Sequence, residues 1–268
     1  MNYDIKSYTC SAFEMRYLRF GKGEKNLVII PGLSVKSVLE DANSIVSAYE
    51  AFTDCYSVYL FDRIENPHEN YSIHDMAEDT VKVINYLGLN NIFCFGASQG
   101  GMIALDIAIH HKDIFRKMFL ASTAAFVDRK AFESIDRWLS FSEKRDGVSL
   151  YLDFCKKLYP EDLFLTYKSF FENQGRSITE FEFKKFSVLA EALKSFDIRH
   201  LINKISCETY FTGVLGDEVL GPSAITFFID LADTVPNFHA YVYEGFTHAV
   251  YDLAPDFKSR MLEFFETD

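Results

Sequence analysis

Residues Asn91 to Leu105 read NIFCFGASQGGMIAL. An apolar run, Ile92 to Phe95, leads into Gly96-Ala97-Ser98-Gln99-Gly100 and then into an apolar helical run. A serine flanked by small residues between a strand and a helix has the pattern of a nucleophile elbow, a turn so tight that its neighbours must lack bulk and its hydroxyl stands exposed. Gly96 and Gly100 mark the places where a side chain would collide, and Gly101 leaves room for the helix to pack closely.

Working outward, YSIHDMAEDTVKVINYLGLNNIFCFGASQGGMIALDIAI resembles the α/β-hydrolase fold family, and the resemblance extends over most of the chain outside a central insert. It implies a mostly parallel sheet flanked by helices, with a helical cap inserted after the sixth strand. The patterning agrees. Upstream, Ile5–Cys10 and Glu14–Phe20 alternate polar and apolar residues as an antiparallel edge pair, and Leu27–Ile30 is a β-branched run suited to a strand buried on both faces. Ser37 with Glu40 and Ser72 with Asp75 have capping-box spacing before helical segments, the second of which keeps a 3.6 period from Ile73 to Leu87 and stops at Gly88. Tyr56–Phe61 and Phe115–Ala121 are further strands, and the segment from Gln99 to His110 is apolar nearly all round, as a central buried helix would be.

From about Asp128 to His200 strand-like runs disappear and helical spacing dominates, with a third capping-box spacing at Ser177 and Glu180. This stretch holds 13 basic and 13 acidic residues, so the rest of the chain carries the whole formal charge of −12. The expected organisation is a core from residues 1–127 and 201–268 with a helical cap at 128–200. Strand patterning resumes at Glu208–Val214 and Ala240–Tyr243, Pro222 opens a helix between them, and Pro255–Phe265 closes the chain as a helix.

The acidic balance and the lack of a basic cluster argue against nucleic acid or an anionic membrane as partner, leaving a small-molecule substrate. Oligomeric state is not legible. Five dispersed cysteines without a CxxC pair read as buried free thiols, and no apolar run reaches the ~18 residues of a membrane helix, which points to a cytoplasmic enzyme. No HExxH, phosphate loop or GxGxxG occurs, so neither a metal nor a cofactor is expected.

A serine hydroxyl near neutral pH needs a base to take its proton and a carboxylate to orient that base. The resemblance places these in the order Ser, Asp/Glu, His, each after a strand, which maps to Ser98, Asp217 and His248. Asp217 follows Leu215-Gly216; Asp230 and Asp233 fall on the next helix. Of the seven histidines, His248 alone lies in a glycine-preceded loop after the last strand. The same correspondence maps the two oxyanion donors to the backbone N–H groups of Leu33 and Gln99, with Pro31-Gly32 where most relatives carry His-Gly. Met102 stands where relatives acting on strongly anionic substrates often carry arginine, which favours a neutral or apolar substrate. Phe126, Trp138, Phe141 and Tyr151 are the candidate pocket side chains of the insert. The expected activity is hydrolysis of an ester, thioester or lactone through an acyl-enzyme. Alternatives are carbon–carbon bond hydrolysis or elimination by the same triad, and a non-catalytic ligand-binding receptor.

Overall fold

The computed structural model describes residues 2–267. Eight strands, β1 (Tyr3–Thr9), β2 (Glu14–Phe20), β3 (Lys25–Ile30), β4 (Tyr56–Phe61), β5 (Ile92–Ala97), β6 (Phe115–Ala121), β7 (Glu208–Val214) and β8 (Phe238–Tyr243), form one sheet in the order β1-β2-β4-β3-β5-β6-β7-β8. Only the β1–β2 and β2–β4 pairings are antiparallel. From β4 to β8 all neighbours run parallel. Burial follows topology: β4 and β5 are buried at every residue, whereas the edge strand β1 is mostly exposed.

Helices cover both faces. One face packs under α2 (Ile73–Tyr86), α3 (Gln99–His110) and α8 (Pro222–Thr234); the other packs under α1 (Ala42–Ala48) and α10 (Phe257–Glu266), just after the short α9 (Val250–Leu253). The capping box predicted at Ser72 and Asp75 is present, with each side chain bonded to the other residue's backbone N–H. The one predicted at Ser37 and Glu40 is absent. The Ser37 hydroxyl instead donates to Asp62 and opens a short 3₁₀ turn.

Between β6 and β7 lie α4 (Arg129–Glu143), α5 (Gly147–Leu158), α6 (Glu161–Arg176) and α7 (Glu180–Glu191), so the stretch without strand patterning is helical. A lone antiparallel bridge, Phe126 to Asp197, closes its neck. The third capping box lies two residues beyond its predicted place. Thr179 and Glu182 form it at the start of α7, while Ser177 ends α6.

All five cysteines are free, yet only Cys94 and Cys155 are buried; Cys10 and Cys207 are partly buried and Cys55 is exposed. No helix among the described residues is long and apolar enough to cross a membrane.

What the sheet does for the site follows from register. Ile30 pairs with Gly96, Ala97 with Ala121, Ala121 with Thr212, and Val214 with Tyr243. Five parallel strands therefore end level with one another, and the loops that leave them gather along a single edge.

Candidate active site

At the centre of that edge, Ser98 links β5 to α3 with φ 51° and ψ −122°, a conformation that costs an L-residue of order 1–3 kcal/mol unless its surroundings hold it. They do. Its N–H donates to Ala121 O at 2.8 Å, and its carbonyl accepts the Thr123 hydroxyl at 2.7 Å and the Gly101 N–H at 2.9 Å. A Cβ on Gly100 would stand 1.9 Å from Ile30 O, so the helix can start this close to β3 only with glycine there. Gly101 meets Thr123 in the loop after β6, and that loop rather than a strand requires its lack of bulk.

The base and the carboxylate arrive from the next two strands. Asp217, in the turn after β7, accepts the N–H groups of Val219 and Leu220 on Oδ1, both at 2.8 Å. Its Oδ2 stands 2.7 Å from His248 Nδ1, and His248 Nε2 lies 3.0 Å from Ser98 Oγ. Asp217 and His248 are each 2 % exposed. A buried carboxylate can only accept, which places the imidazole proton on Nδ1 and turns the Nε2 lone pair toward the serine hydroxyl. This is an arrangement that can draw a proton from Ser98 as its oxygen attacks.

The loop after β3 closes the other side. A Cβ on Gly32 would come within 3.1 Å of Ser98 Cβ, and Leu33 lines the same cavity as Ser98 and His248. Gln99 is the first residue of α3, where a helix leaves its N–H groups without an internal partner.

The family description "alpha/beta hydrolase fold" matches residues 52–162. An α/β-hydrolase enzyme from a Medee basin deep-sea metagenome library superposes with a TM-score of 0.85 at 17% identity, covering 98% of both chains. The chain has the α/β-hydrolase fold. The enol-lactonase of Burkholderia xenovorans superposes on it with a TM-score of 0.81 at 16% identity, covering 98% of this chain and 100% of that one. In sequence, the carbamate-hydrolase candidate RutD of Agrobacterium fabrum is 25% identical over 227 residues, 80% of this chain and 85% of that protein.

Within this fold a narrow cavity of about 40 Å³ opens at Ser98. Its walls are Gly32, Leu33, Met102, Val127, Ala131, Ile135, Trp138, Phe154, Leu158, Leu193, Val219, Leu220 and Tyr251, with His248 and Ser98 the only polar side chains besides the tyrosine. Of the predicted pocket residues, Met102 and Trp138 line this cavity. Phe126, Phe141 and Tyr151 do not. Phe126 packs on Phe227 with the Arg199 guanidinium 4.2 Å from its ring centre, and its neighbour Val127, on the opposite face of an extended segment, takes the cavity position. Along α4 the cavity stripe runs Ala131, Ile135, Trp138; the next turn faces α7 through Ser142, and Phe141 packs beside it in the core. The C-terminal end of α5 reaches the site, so Phe154 and Leu158 line it while Tyr151, nearly two turns back, packs toward Phe171.

Three supporting residues have no sequence signal of their own. Ser122 and Thr123, fully buried after β6, tie the two reacting loops to one point: Ser122 Oγ donates to His248 O at 2.7 Å and Thr123 Oγ1 donates to Ser98 O. Ser122 holds φ 45° to do so. Arg63, 6 % exposed, donates to Pro31 O at 2.5 Å and lies 3.4 Å from Gln99 Oε1, bracing the loop that carries Leu33. Burial pushes its guanidinium down to about 10, still charged near neutrality. In the sequence Arg63 stands in a polar stretch after a strand, which reads first as loop.

Proposed function

We propose that this chain is a serine hydrolase that cleaves an ester, thioester or lactone-type acyl bond of a small neutral or apolar substrate, using its own side chains and no cofactor. The observation that carries the reading is the unbroken path from Ser98 Oγ through His248 to Asp217, set at the mouth of an apolar cavity. In the reaction Ser98 Oγ bonds to the carbonyl carbon while its proton passes to His248 Nε2. The carbonyl oxygen takes the negative charge and is met by the N–H groups of Leu33 and Gln99. As the bond to the leaving group breaks, the proton moves from Nε2 to that group, and water then releases the acyl chain from Ser98 by the same steps. Asp217 keeps the imidazole in the productive tautomer and stabilises its cation.

Cavity chemistry supports the substrate class. No lysine or arginine lines the walls, and about 40 Å³ has room for an acyl group of only a few heavy atoms before side chains must move. Carbamate and enol-lactone bonds, named for two of the neighbours, are open to the same attack. We read the helical insert as the roof that selects the acyl chain, and the five free thiols as fitting a reducing cytoplasm.

A fluorophosphonate probe tests the proposal. The wild type should gain one adduct, mapped to Ser98 by mass spectrometry, and Ser98→Ala should gain none. A folded wild type that stays unlabelled, with ligand binding intact, would instead support a receptor.

A further inference from the structure

Away from the cleft, α3 carries one charged residue inside an otherwise apolar run, Asp106 in Gln99–His110, and it is 5 % exposed. A buried carboxylate costs several kcal/mol unless opposite charge compensates it. Among the described residues its ion-pair partners are two histidines only: His74 Nδ1 at 2.8 Å and His110 Nδ1 at 3.2 Å, both on Oδ1. A lysine or arginine would have neutralised the carboxylate permanently, and neither is present at that distance.

We propose that His74, Asp106 and His110 form a binding site for a divalent transition-metal ion that rivets α2 to α3. One ligand atom from each of the three lies within 4.8 Å of the others. Two ligands held by a tetrahedral ion at about 2.1 Å stand about 3.4 Å apart, so the carboxylate–imidazole spacings of 2.8 and 3.2 Å need to open by about 0.6 and about 0.2 Å, while the third pair lies within 4.8 Å. The ion would replace the shared hydrogen bonds, including the one His110 Nδ1 makes to its own helix at Asp106 O. Asp106 and His110 are four apart on one face of α3, and His74 comes from the first turn of α2, so closing the site joins two elements far apart in sequence. Two nitrogens and one carboxylate oxygen suit zinc, cobalt, nickel or copper rather than calcium or magnesium. Both histidines are exposed, which gives the ion a route in and leaves water to complete its coordination. Glu78, bonded to His111 at 2.6 Å beside the cluster, adds negative potential.

Asp106 lies eight positions along the chain from Ser98, about 12 Å along the helix axis, too far for the ion to meet a substrate on Ser98. Its effect is on helix packing.

The test uses the full chain, freed of metal by chelator. Zinc is titrated by calorimetry, cobalt by visible absorption, and the melting temperature is followed with zinc. One ion per chain at micromolar affinity or tighter, a melting temperature raised by several degrees, and a loss of at least tenfold in affinity in both His74→Ala and His110→Ala would establish the site. Both substitutions are at exposed positions and circular dichroism checks that each variant is folded. Absence of binding below millimolar zinc, or equal affinity in wild type and the two variants, would overturn it.

Discussion

The sheet core and the helical insert solve different problems with different chemistry. In the core, β4 and β5 are buried along their whole length, and the loops they and their parallel neighbours emit supply all the side chains of the hydrogen-bonded path: Ser98, Asp217 and His248. The insert supplies none of these. Its helices are charge-balanced and amphipathic, and α6 and the start of α7 leave Leu165, Tyr167, Phe170 and Phe181 exposed. Yet it grips each reacting loop. Lys130 donates to Asp217 O, Leu158 O accepts from Ala249 N and the Thr247 hydroxyl, and Leu189 O accepts from the Gln99 amide. Three of these four contacts use a backbone carbonyl of the insert. Main-chain acceptors place few demands on residue type, so the insert can vary its cavity-facing side chains without releasing the loops it holds.

That contrast can be broken in order of effect. The largest losses belong to the core path: Ser98→Ala or His248→Ala should each lower kcat on a nitrophenyl ester by roughly 10⁶-fold, the scale of removing one member of a known triad. Asp217→Asn should come next, at about 10⁴-fold in kcat with KM little changed, because the imidazole then adopts the wrong tautomer. If Asp217→Asn is nearly as active as wild type, another carboxylate orients the base.

Arg63→Met tests whether support of the Pro31–Leu33 loop is separable from the path itself. Losing charged hydrogen bonds at a buried site should cost about 2 kcal/mol in denaturant titration and lower kcat by about 10 to 100-fold, with KM moving less. A loss of stability with kcat intact would make Arg63 a folding residue only. Smallest on chemistry are the insert changes. Trp138→Ala should shift chain-length preference toward longer acyl esters and change KM, while probe labelling of Ser98 stays within a few-fold of wild type. Tyr151→Phe should leave the substrate ranking as it is, since Tyr151 does not reach the cavity. Equal effects from these two would show that the insert selects substrate by some other surface.

The same contrast explains what could be read from the chain alone. Gly96-Ala97-Ser98-Gln99-Gly100 announces its geometry because the turn tolerates almost nothing else, and the strands at 56–61 and 115–121 announce themselves by continuous apolar runs. Asp217 and His248 were legible through chain order after late strands. The cavity walls were not, because an amphipathic helix tells which face is apolar and not which turn of that face meets the site. Hence Trp138 lines the cavity and Phe141, one turn further on, does not. Ser122, Thr123 and Arg63 act through hydrogen bonds between loops that only the assembled sheet brings together. The pair of His74 and Asp106, 32 residues apart, was invisible for the same reason.

The central claim is that Ser98 and His248 act as one unit, and the double variant Ser98→Ala/His248→Ala measures it directly. With both single variants at roughly 10⁶-fold below wild type in kcat, the double variant should fall no more than a few-fold lower, leaving the residual rate supplied by the rest of the site. Losses that multiply, so that the double variant drops by the product of the two, would mean that the residues act independently and that the hydrogen bond between them is not the engine of the reaction.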